Sequence, residues 1–156
     1  MDINKKWSSY KYKKRAGLRY EIGLVIRTGL LAWVNGPFPC VMFTDTKIFV
    51  EGGIIDELTE HERVEADGAY TCFDPMYCKT PYGHTIKLSS RERIEMSYRV
   101  RARHETVNQR YRIFNILKHV YRHKIGDHGD VINAVSVLVQ LSLKHGNPLF
   151  PIDDYE

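Results

Sequence analysis

The sequence predicts a mixed α/β domain with an antiparallel hairpin at its front. Residues 18–27 (LRYEIGLVIR) are dense in branched and aromatic side chains, as strands are. A Thr28-Gly29 turn joins them to a second apolar run, residues 30–35 (LLAWVN), as its antiparallel partner. Later in the chain the apolar spacing lengthens to three or four residues over two long segments, which predicts helices. The 156 residues suit one domain with a single core.

The elements follow in order. From Lys5 to Arg15 basic and aromatic residues interleave, Trp7, Tyr10 and Tyr12 among lysines, as in an edge strand or a basic arm over residues 1–16. After the hairpin, Gly36-Pro37-Phe38-Pro39 predicts a break in regular structure. Asp45 to Leu58 reads as a helix interrupted at Gly52-Gly53, with Asp45 as a candidate N-cap. Arg63 to Ala66 reads as a short strand ending in an Asp67-Gly68 turn. Thr71 to Gly83 reads as loop with room for one short strand. The longest helical pattern runs from Ser89 to about Lys124. Ser89 or Ser90 is its cap, Glu92 lies in its first turn, and a break is expected near Asn115. Met96, Val100, Val107, Tyr111 and Phe114 form its apolar stripe. Arg101, Glu105, Asn108 and Arg112 share another face. Ile125-Gly126-Asp127 is a turn, and Asp130 to Leu143 is an Asp-capped helix broad enough in its apolar face to be buried.

Composition narrows the function classes. Hydrophobic residues are 43% and charged residues 27%, ordinary for a globular chain. No apolar run approaches the roughly 20 residues of a membrane span, and the basic N-terminus lacks the apolar core of a signal peptide. A nuclear or cytoplasmic protein is therefore expected, not a secreted or membrane one. Cys40, Cys72 and Cys78 are odd in number and form no CxxC, which speaks for reduced thiols and against a cysteine-based zinc site. His119, His123 and His128 have a metal-like spacing, with His119 and His123 four apart, but the basic segment around them favours polar surface or phosphate contact.

Charge is strongly segregated. Residues 1–19 carry +6, residues 20–90 carry −5, residues 91–124 carry +7 and residues 125–156 carry −4. Clustered Lys and Arg are the electrostatic footprint of a polyanion partner, and equally of a solvated helix face. The richest stretch is RVRARHETVNQR, where one carboxylate, Glu105, stands among Arg99, Arg101, Arg103 and Arg110, with Arg112 just beyond. Asp67, at a strand end followed by glycine, occupies a common position for an exposed functional side chain. An acid from a strand end and one from a facing helix can converge on Mg²⁺, which prefers carboxylate oxygens and water. Two such ions about 4 Å apart would support phosphodiester cleavage, with arginines holding the phosphates. The plainer readings are a turn dipeptide for Asp67, a cap for Asp45 and pairing of Glu105 with Arg101.

Taken together, WSSYKYKKRAGLRYEIGLVIRTGLLAWVNGPFPC, FTDTKIF, ERVEADGAY, RARHETVNQRYRIFNILKHVYRH and AVSVLVQLSLKHGNPLF resemble the DDE superfamily endonuclease domain of Harbinger/PIF-type transposases. The resemblance covers nearly the whole chain. It implies an RNase H-like fold and cutting of DNA by a divalent metal, Mg²⁺ or Mn²⁺. It implies Asp67 and Glu105 as two of three metal-binding catalytic acids, with Asp45 as another characteristic acid. It also implies DNA contact through the arginines, and either self-association or a separate DNA-binding protein as partner. The family's first acid lies on a first strand well upstream of the WSSYK segment, and only six residues precede Trp7. The expectation is therefore a C-terminal portion of the domain, residues 1–156, lacking the first strand and its Asp. Cleavage is then impaired, and the alternatives are DNA-backbone binding without catalysis or a decayed transposase fragment.

Overall fold

The computed structural model describes residues 8–9, 15–80 and 90–152. Most of the expected basic arm and the expected cap at Ser89 lie outside them. The elements in chain order are β1 (Ser8–Ser9), β2 (Arg15–Ala16), β3 (Leu18–Leu24), β4 (Leu31–Pro39), α1 (Asp45–Glu51), α2 (Ile54–Glu57) and β5 (Val64–Glu65). A 3-10 helix (Gly68–Phe73), β6 (Cys78–Lys79), α3 (Ser90–Arg112), α4 (Asn115–Lys118), a second 3-10 turn (Ile125–Asp127) and α5 (His128–His145) complete them. Among the described residues the strands form three separate pairs, β1–β2, β3–β4 and β5–β6; the first two are antiparallel and the last parallel.

The β3–β4 hairpin is the middle layer, because alternate residues of a strand face opposite ways. Tyr20, Ile22 and Leu24 of β3, with Leu31 and Val34 of β4, pack on a core of Val107 and Tyr111 from α3 and Ile132, Val135, Val139 and Leu143 from α5. Trp33 faces the other way, toward Phe49, Ile54 and Cys78. Tyr111 is anchored there by its hydroxyl, 2.7 Å from Ser136 Oγ, which donates in turn to the Ile132 carbonyl. Gln140 of α5 covers the outer edge of β4: its Oε1 accepts from the Leu31 amide at 2.8 Å.

Three expectations change. Gly36-Pro37-Phe38-Pro39 does not break the strand; it forms the end of β4, with Phe38 opposite Arg19 and Pro39 opposite Leu18. The register slips between Arg19 and Glu21, where β4 carries one extra residue, so a bulge absorbs the irregular segment. The first helix is capped by Thr44, whose side chain accepts from the Lys47 amide, leaving Asp45 as its first residue. The last helix starts at His128 and buries one stripe only. Val137, Leu138 and Leu141 on its other side are 51–60% exposed. The long helix does stop at Arg112, before the expected break at Asn115.

The stripe on α5 makes a direct prediction. Leu143, 3% exposed, sits in the core, whereas Leu141 is 51% exposed. Leu143→Ala should cost about 2–5 kcal/mol in urea unfolding, and Leu141→Ala within about 0.5 kcal/mol of nothing.

Candidate functional site

The helix α3 sorts its charged residues by face. Arg101, Glu105 and Arg112 are exposed. Arg110 and Arg112 lie in the last turn, where cations offset the helix dipole. Arg101 Nη2 lies 3.7 Å from Asp67 Oδ2, so the strand-end acid is held against the face that carries Glu105 one turn further on. The other oxygen, Asp67 Oδ1, accepts from the Ala69 amide at 2.8 Å and caps the 3-10 helix. The Glu105 carboxylate forms no ion pair or hydrogen bond among the described residues, so it is not spent on Arg101.

Asp45 is engaged elsewhere. Its Oδ1 is 3.0 Å from Arg19 Nη1 on the hairpin. Both Asp45 and Asp67 bear on Tyr70 through their charge. Burial is the main cause that pushes the Tyr70 hydroxyl well above its ordinary value, and the charges of Asp45, Glu21 and Asp67 add to it. Glu21 is the residue that sequence reasoning missed. It points away from the core face of β3, and its Oε2 accepts from Trp33 Nε1 at 2.7 Å. Burial raises the Glu21 carboxyl above its usual range, and the Trp33 bond offsets part of that. The available signal was an acid between Tyr20 and Ile22 in an otherwise apolar strand.

Among the described residues no group of three or more His, Cys, Asp or Glu is placed to hold an ion. Asp45 is paired with Arg19, and Asp67 has a guanidinium at its free oxygen. Two of the three expected metal-binding acids, Asp45 and Asp67, thus each face a guanidinium in this structure.

The five arginines divide. Arg101 and Arg112 face solvent. Arg99 Nη2 donates to the Pro151 carbonyl at 3.1 Å. Arg103, expected among the phosphate contacts, is 3% exposed. It donates to the Ile26 carbonyl in the hairpin loop and lies 5.8 Å over the Phe150 ring. Burial lowers its pKa, and the neighbouring Arg99 adds to that. Arg110 is half-buried, with Nη1 enclosed and lacking a hydrogen-bond partner. His104 is equally structural: Nε2–H donates to the Ile22 carbonyl at 2.9 Å, which leaves Nδ1 to accept from Asn108 at 3.4 Å.

Past Glu105, every charged side chain up to Gly126 is basic. No acid occurs from Thr106 to Gly126. Arg112, Lys118, His119, Arg122, His123 and Lys124 are all exposed. Tyr121 stacks edge-on against His123 and His128, and His128 Nδ1 lies 2.7 Å from the Tyr20 hydroxyl. Cys78 is buried and its thiol is pushed up to about 12, chiefly by desolvation and then by Asp74, so it is no nucleophile. Among the described residues no helix is long and apolar enough to cross a membrane. No family model matches the chain, and neither a curated protein nor a solved structure matches it.

Glu21 provides a pH test. An unfolded Glu titrates near 4.5, and the folded carboxyl holds its proton to higher pH. The native state therefore binds more protons in that window, and stability falls as pH rises from the unfolded value through the folded one. Glu21→Gln keeps an acceptor for Trp33 and removes the titration. Thermal melts should show the variant gaining on the parent between pH 4.5 and neutrality.

Proposed function

We propose that this chain is a DNA-backbone-binding domain derived from a DDE superfamily endonuclease of the Harbinger/PIF type, with an RNase H-like ancestry and without efficient catalysis. One observation carries the reading: the exposed, acid-free surface from Arg112 to Lys124. Together with Arg101, whose exposed pairing with Asp67 a phosphate would have to displace, these side chains offer cations to phosphates. Such contacts position a nucleic acid without reading its sequence. The resemblance noted in the sequence supplies DNA as the polyanion.

Binding of a duplex oligonucleotide should fall steeply with salt. Each phosphate contact contributes about 0.9 to the slope of log affinity against log salt. Replacing Arg112, Arg122 and Lys124 together with Gln should lower that slope by about 2–3 and weaken all sequences alike. A salt-independent affinity would sink the proposal.

A second reading, a weakened metal-dependent nuclease, is favoured by one specific contact. Arg101 brings Asp67 to the Glu105 face, and Glu105 keeps its carboxylate for other partners. Asp67 and Asp45 are each held in an ion pair with an arginine, which ranks this reading second. Nicking of supercoiled plasmid with Mg²⁺ or Mn²⁺ should stay near background and be the same for Glu105→Gln. Robust nicking that Glu105→Gln abolishes would reverse the ranking of the two readings.

A further inference from the structure

Past the long helix, α4 and the residues after it fold around a hollow of about 440 Å³. Small-ligand sites span roughly 300–1,000 Å³, so this one is large enough to hold a guest. Asn115, Ile116, His119, Val120, Arg122 and His123 line it, and all six are exposed. Val120 is 85% exposed, an apolar side chain left open in a segment without an acid.

One wall of the hollow is held in place. Tyr121 also lines it, and its ring meets the His123 ring edge-on, with centroids 5.4 Å apart. The same ring meets His128 edge-on at 4.5 Å. His128 is tied in turn to the hairpin: its Nδ1 lies 2.7 Å from the Tyr20 hydroxyl, and the two rings stack at 5.6 Å. A row of four rings thus runs from β3 to the hollow. The edge-on contact covers at most one face of His123, and His119 has no ring contact among the described residues. Rings already held in position lose little freedom when a planar guest arrives.

A planar guest with hydrogen-bonding edges and adjoining phosphates is a nucleobase. Unpaired bases are held by stacking on aromatic side chains, histidine and tyrosine among them. The Asn115 amide carries a donor and an acceptor, the pair that a base edge meets. Arg112, Lys118 and Lys124, exposed and close in sequence, supply cations for the flanking phosphates. Inside a duplex both faces of a base are covered by its neighbours, so a base enters only when unpaired.

We propose that this hollow seats an unpaired base of single-stranded DNA whose phosphates lie on the surrounding cations, an inference that rests on the DNA reading above and extends it from backbone to base. Every base has a face to stack, so the preference is for the presence of bases and not for a sequence.

The test is fluorescence anisotropy on the full chain with two labelled strands of equal length and charge. One is twelve thymidine nucleotides, and the other is the same strand with every base replaced by hydrogen. Both should weaken with salt along the same slope, and the thymidine strand should bind about tenfold tighter. Replacing His119 and His123 together with Ala should bring the ratio of the two affinities close to one. If that variant does not fold, the two strands on the parent chain still decide. Equal affinities for the parent overturn this proposal and leave the backbone reading standing. A ratio that survives in the folded variant places the base elsewhere and overturns it too. If neither strand binds, or if binding ignores salt, the backbone reading fails and this proposal fails with it.

Discussion

The two-residue period of the hairpin governs this domain. Because β3 and β4 send alternate side chains to opposite faces, one hairpin serves two cores. Tyr20, Ile22 and Leu24 join α3 and α5, while Trp33 joins the α1, α2 and β5–β6 side. A slip of one residue would exchange the two faces and place Glu21 in the helical core. Register is held at both ends. Gly29, with φ +71, makes the turn in a conformation that suits glycine, and a Cβ there would collide with the Arg103 guanidinium. At the far end the bulge near Arg19 lets the proline-bearing end of β4 stay paired.

Arg103 shows how much of α3 was legible. The apolar stripe Met96, Val100, Val107, Tyr111 leaves a gap of seven between Val100 and Val107, and Arg103 fills it, three residues on from the first and four before the second. The gap was visible in the sequence. Its meaning was not, because the Ile26 carbonyl that takes the guanidinium lies 77 residues away. Periodicity separated the exposed face correctly, since Arg101, Glu105 and Arg112 do face solvent. It gave no means to tell a surface arginine from one lying along the core face with its charge consumed internally.

The same division explains the rest. The hairpin, the interruption at Gly52-Gly53 and the end of the long helix depend on local chemistry and could be read from neighbouring residues. What failed was long-range. The pairing of Asp45 with Arg19 spans 26 residues, and the alignment of Glu21 with Trp33 depends on register. The apolar face of α5 looked uniformly buried because nothing local says that the hairpin covers only one of its sides. For the site, residue types were readable and their convergence was not. Asp67 does meet α3, while Asp45 is claimed by the hairpin.

Electrostatics then orders the proposed activities. The Arg101–Asp67 pair is about half exposed on both sides and 3.7 Å long. Pairs of this kind contribute roughly 0–1 kcal/mol, and salt screens them further. Such a contact gives way easily. A phosphate approaching Arg101 would compete with Asp67 for the guanidinium. The proposed backbone binding asks only for that exchange at an exposed cation, whereas the proposed cleavage would also need several acids to converge on an ion, which is why backbone binding is the primary reading and cleavage the dependent one.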